Sequence, residues 1–84
     1  MREYLFYIKD PMGLHARPAS LIFMEARKYF CVIEALWGSD KADCKSLLDL
    51  IGLGVMGEGE VLFRFDGEDE EAASVGVRTV LESL

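Results

Sequence analysis

Eighty-four residues allow one compact domain, residues 1–84, and exclude a second, because independently folding units run from about 50 to 250 residues. Apolar residues make up 51% of the chain and aromatics 11%, which is ample for a core, although a chain this short buries only roughly 60% of its unfolded surface. Fifteen acidic against nine basic side chains give a net charge of −6, which repels a phosphate polymer and argues against nucleic acid as a direct partner.

Glu3 to Lys9 alternates, with Tyr4, Phe6 and Ile8 on one side and Leu5 and Tyr7 on the other, as a strand with aromatic and β-branched content does. Asp10-Pro11-Met12-Gly13 breaks it. From Ala16 to Tyr29 the period changes, and Ala19, Ile22, Phe23, Ala26 and Phe30 form the expected buried stripe of an amphipathic helix. Cys31 to Trp37 reads as a strand with Ile33, Ala35 and Trp37 inward, and Gly38-Ser39-Asp40 turns it into a second arm, Lys41 to Cys44. Ser46 to Leu53 is a short helix that buries Leu50 and Leu53 and is stopped by Gly52 and Gly54. Gly57 and Gly59 continue the loop. Val61, Phe63 and Phe65 then alternate with Leu62 and Arg64 in a last strand, ended by Asp66-Gly67.

The final helix opens with Glu68, Asp69, Glu70 and Glu71, where negative charge complements the positive end of a helix dipole, and its buried stripe is Ala73, Val77, Val80, Leu81 and Leu84. The order β-α-β-β-α-β-α with three amphipathic helices predicts an α/β two-layer sandwich, one sheet covered on one face. No apolar run reaches the roughly 20 residues that span a bilayer, and residues 1–6 lack the pattern of a secretory leader. A cytoplasmic, monomeric protein without membrane insertion is expected. Cys31 and Cys44 sit among apolar residues and read as reduced core thiols. One histidine with two separated cysteines has no metal-ligand spacing, and the glycines from Gly52 to Gly59 lack the lysine and hydroxyl of a nucleotide loop, so neither a metal nor a cofactor is expected.

Chemistry concentrates in Gly13-Leu14-His15-Ala16-Arg17-Pro18-Ala19-Ser20. The only histidine stands where a loop becomes a helix, a place with unpaired N–H groups and partial positive charge that receives anions. Pro18 fits a first turn, where its missing N–H has no intrahelical partner, although it biases Arg17 away from helical angles. A neutral imidazole there can attack phosphorus, and Arg17 can pair with phosphoryl oxygens. A histidine that caps a helix beside an arginine shares this spacing, so spacing alone leaves both roles open.

The stretch from Gly13 to Ala19 resembles the phosphorylation-site motif of the HPr family, the histidine-containing phosphocarriers of the bacterial phosphoenolpyruvate-dependent sugar phosphotransferase system. Lys45-Ser46-Leu47-Leu48 is similar to the family's regulatory serine segment, Leu53-Gly54-Val55 to the loop after it, and the element order agrees over essentially the whole chain. The resemblance implies an open-faced β-sandwich of four antiparallel strands with three helices on one face. It further implies that His15 receives a phosphoryl group on Nδ1 from the phosphorylated first enzyme of the system and passes it to a sugar-specific second component, with Arg17 assisting. Such a carrier has no turnover of its own.

Leu21 and Met24 lie off the core stripe on the side of Arg17 and Ser20, and Leu47, Leu48 and Ile51 cannot all join Leu50 and Leu53 in the core, so these two groups form a candidate partner surface. Ordinary incomplete burial in a small domain would also leave them outside. Ser46-x-x-Asp49 fits a capping box, whereas the resemblance implies modification of Ser46 by a kinase and phosphatase and recruitment of a catabolite repressor. A regulatory module acting through Ser46 is therefore the competing function. The chain departs from the family in Met12, in place of a small hydroxyl residue, in Met24 and Asp49, where basic or neutral residues are usual, and in the added acid Glu25. Arg17, Arg27, Lys28 and Lys45 remain as the basic set facing an acidic partner, and the departures leave room for a nitrogen-regulatory or dihydroxyacetone-kinase branch.

Overall fold

The computed structural model describes residues 1–55 and 59–84. In chain order the elements are β1 (Arg2–Ile8), α1 (Ala16–Ala26), β2 (Val32–Trp37), β3 (Asp40–Asp43), α2 (Leu47–Gly52), β4 (Gly59–Asp66) and α3 (Glu70–Glu82). All strand pairs are antiparallel and the sheet order is β1-β4-β2-β3, so the last strand is inserted between the first two. Period-two alternation decides the faces. Ile8, Val61, Phe63, Phe65, Ile33 and Ala35 are buried beneath the helices, while Leu5, Tyr7 and Val32 face away from the core. The three helices contribute Ala19, Ile22, Ala26, Leu50, Ala73, Val77 and Leu81 to the same core, which is the two-layer arrangement that the element pattern predicts.

Three expectations are corrected. α1 ends at Ala26 rather than Tyr29, and Phe30 is 96% exposed instead of lying on the buried stripe. The cause is tertiary: beyond Ala26 the amides of Lys28 and Tyr29 bond only three residues back, the Lys45 ammonium takes the Tyr29 carbonyl, and Asp69 accepts from the amides of Phe30 and Cys31, both at 2.8 Å. With its amide fixed on Asp69, Phe30 turns its ring to solvent. Leu84 lies past the end of α3 and is likewise exposed. Gly59 opens β4 rather than belonging to the preceding loop, and Gly57 lies outside the described residues.

Asp69 shows that the acidic start of α3 is more than dipole chemistry. It is the N-cap of α3 without capping through its own side chain, and its carboxyl is held below the usual range, first by the Phe30 amide. Glu70 accepts from the Gly67 amide and pairs with the N-terminal ammonium at 2.9 Å. Cys31 and Cys44 are buried and unbridged, and burial pushes the Cys31 thiol up to about 11 and the Cys44 thiol higher still. No helix among the described residues is long and apolar enough to cross a membrane.

Candidate phosphoacceptor site

After β1 the chain makes a tight turn in which the Gly13 amide donates to the Asp10 carbonyl at 2.8 Å. The Met12 amide donates to Oδ1 of Asp10, also at 2.8 Å, so the carboxylate is locked by its own loop. The next residue, Leu14, is buried and its amide donates to the Val55 carbonyl at 3.1 Å, which fastens this loop to the segment leaving α2. His15 is thereby delivered to the N-cap of α1 in extended conformation, φ −83° and ψ −173°, with its carbonyl accepting from the Ala19 amide.

The imidazole makes no capping hydrogen bond, so the bland role in which the ring closes the helix end is not what this side chain does. Among the described residues the Ala16 and Arg17 amides have no acceptor, and Pro18, buried in the first turn, has no amide to satisfy. Two donors and the positive end of an 11-residue helix therefore sit beside a ring that is about one third exposed (35%). Arg17 is exposed and, among the described residues, makes no ion pair or side-chain hydrogen bond. An anion with several oxygens can be met here by backbone donors and by a guanidinium fork.

Sequence reasoning missed Asp10, which it read only as part of a strand breaker. Its Oδ2 lies 3.1 Å from Nε2 of His15, and its carboxyl is held below the usual range, first by the Met12 amide and then by His15. The Asp-Pro-x-Gly spacing was the available signal, since an aspartate at a turn start bonds the amide two residues on.

The candidate partner surface is partly exposed. Leu21 and Met24 are open on α1, Ser20 is half-buried, and Leu48 (82% exposed) and Ile51 are open on α2, while Leu47 is half-buried against the core. α1 and α2 touch one another, and the bond from Leu14 to Val55 joins the histidine loop to the end of α2.

Ser46 is the N-cap of α2 and its hydroxyl accepts from the Asp49 amide at 3.3 Å. The reciprocal half of the box is absent: the Ser46 amide goes to the Asp43 carbonyl, and the Asp49 carboxylate accepts instead from the Asp43 amide. Of the four basic residues, Lys28 pairs with Glu25 at 2.9 Å and Lys45 is turned onto Tyr29, whereas Arg27 lies over the Phe23 ring. Three of the four charges are thus engaged within the chain, and among the described residues Arg17 makes no such contact.

A family model described as the PTS HPr component phosphorylation site matches residues 3–83. The phosphocarrier protein HPr of Mycoplasma genitalium is 35% identical over 83 residues, covering 98% of this chain and 94% of the relative. Among solved structures, HPr from Thermoanaerobacter tengcongensis superposes with a TM-score of 0.90 at 35% identity, covering 99% of this chain and 93% of that one. A mycoplasma histidine-containing phosphocarrier protein does so with a TM-score of 0.94 at 26% identity, covering 98% and 93%. Motif, sheet order and the matched length of nearly every residue converge, and the chain belongs to the HPr family of phosphocarrier proteins of the phosphotransferase system.

Proposed function

We propose that His15 is the phosphoryl acceptor of a one-domain, cytoplasmic carrier, taking the group on Nδ1 from the phosphorylated first enzyme of the phosphotransferase system and delivering it to a sugar-specific second component. The observation that carries this reading is the uncapped, part-exposed imidazole beside the Ala16 and Arg17 amides, which have no acceptor among the described residues. In the uptake step the Nδ1 lone pair forms a bond to phosphorus as the bond to the donor breaks, and the departing pair stays on the donor. Arg17 and the two amides balance the phosphoryl oxygens, and the reverse displacement hands the group on. Ser20, Leu21, Met24, Leu47, Leu48 and Ile51 form the surface on which both dock, with Leu48 and Ile51 its most accessible part on α2.

Ser46 supports a second, compatible reading. Its hydroxyl, held by one long bond, stands next to Asp43, Asp49 and the exposed Leu48, so a phosphate would add roughly two negative charges beside the docking surface and repel an acidic partner. Incubation with phosphoenolpyruvate and the first enzyme tests the carrier reading: acid-labile phosphate on the wild type and none on His15→Ala is the expected result. Equal labelling of the two proteins refutes it. Acid-stable phosphate on Ser46, read by mass spectrometry, tests the regulatory one.

A further inference from the structure

Resting on the reading of His15 as acceptor, we infer that Asp10 is a positioning residue that fixes which ring nitrogen attacks. Oδ1 of Asp10 is committed to the Met12 amide and Oδ2 faces Nε2 of His15 at 3.1 Å. Both bonds favour the ionised carboxyl, and a carboxylate has no proton to donate. Nε2 must therefore carry the hydrogen, which leaves the lone pair of the neutral ring on Nδ1. As Nδ1 bonds to phosphorus the ring gains positive charge while Nε2 keeps its proton, and the carboxylate lies against that charge. When the group leaves, the Nδ1–P pair returns to Nδ1 and the ring is neutral again. The arrangement follows the general logic of a nucleophilic or basic imidazole oriented by a third group.

The loop makes the inference sharp. Because the Met12 amide requires an oxygen acceptor, an asparagine at position 10 keeps the turn only by placing its NH2 toward the ring. That group donates, so it favours the lone pair on Nε2 and the hydrogen on Nδ1. An asparagine thus preserves the loop and inverts the tautomer, whereas a purely structural role for Asp10 would be rescued by it. Asp10 and His15 are 47% and 35% exposed, so solvent screens the pair and the expected rate effect is about 3- to 10-fold, not the loss seen in a buried triad.

The test uses phosphoramidate, a small phosphoryl donor whose P–N bond breaks to release ammonia, so that no partner protein is involved. Wild type, Asp10→Asn, Asp10→Ala and His15→Ala are labelled, the ring isomer is read by phosphorus NMR and the unlabelled ring by long-range 15N correlation. Expected are phosphate on Nδ1 in the wild type, a 3- to 10-fold slower Nδ1 uptake in both Asp10 variants, and a larger Nδ1–H signal in Asp10→Asn. Nδ1 uptake by Asp10→Asn at the wild-type rate, with an unchanged tautomer, overturns the positioning role alone. Wild-type labelling that survives in His15→Ala overturns the acceptor reading beneath it.

Discussion

Gly67 carries a φ of 152°, and a Cβ built there would stand 2.7 Å from Cβ and 2.8 Å from Cα of Cys31. The second atom belongs to the main chain, in a segment already held by the two bonds from Asp69, so neither side can swing away. In Gly67→Ala, overpacking costs about 1–3 kcal/mol and an L residue at this φ about 1–3 kcal/mol more. Reduced freedom of the unfolded chain offsets about 0.4–1 kcal/mol of that. The net is about 2–5 kcal/mol, against a total stability of about 4–13 kcal/mol for a chain this long. At about 4–8 °C per kcal/mol the melting temperature falls by at least about 8 °C. Gly38→Ala is the matched control. Gly38 has φ 61° in the hairpin turn but open space around it, so only the conformational part, about 1 kcal/mol net, applies. Thermal and urea melts of both variants isolate the crowding. If Gly67→Ala melts within about 2 °C of Gly38→Ala, the close approach of the β4–α3 turn to Cys31 contributes nothing and the reasoning is wrong.

The Asp69 clamp has a pH signature. Its carboxyl lies lower in the folded than in the unfolded chain, so its contribution is complete above the unfolded value of about 3.9 and is lost as pH falls through the folded value. Between pH 5 and 2.5 the wild type therefore loses more melting temperature than Asp69→Ala does, and parallel curves would show that the clamp carries no linkage. On α2, two leucines should part company: Leu50→Ala, fully buried, costs about 2–5 kcal/mol in urea melts, whereas Leu48→Ala stays within about 0.5 kcal/mol and weakens docking to the first enzyme in a titration. Unchanged affinity for Leu48→Ala removes α2 from the partner surface.

Local patterning carried most of the architecture because strand alternation and the helical stripe are local consequences of burial. Val61, Phe63 and Phe65 could hardly be placed otherwise, and Ala19, Ile22 and Ala26 form the inner face of α1 as their spacing requires. What stayed out of reach depended on contacts between residues far apart in sequence. Phe30 reads as the next member of a stripe until Asp69, 39 residues away, takes its amide and ends the run. Lys45 counts as a surface charge in the sequence, yet its ammonium closes the carbonyl end after α1. The site divides in the same way: His15 and Arg17 are visible from a motif and a helix start, while the part of Asp10 depends on the direction in which a locked carboxylate points.

The position of β4 in the sheet has a consequence for the order in which the molecule can be made. β1 pairs only with β4, and β2 reaches β1 only through β4, so the strand that joins the two halves is completed at Asp66. A ribosome that has released the first fifty residues has released a helix and a hairpin with no neighbour for the opening strand. Fusion, truncation or pausing before that point leaves an uncovered apolar face and an unpaired edge, and assembly of the sheet must wait until Asp66 is free.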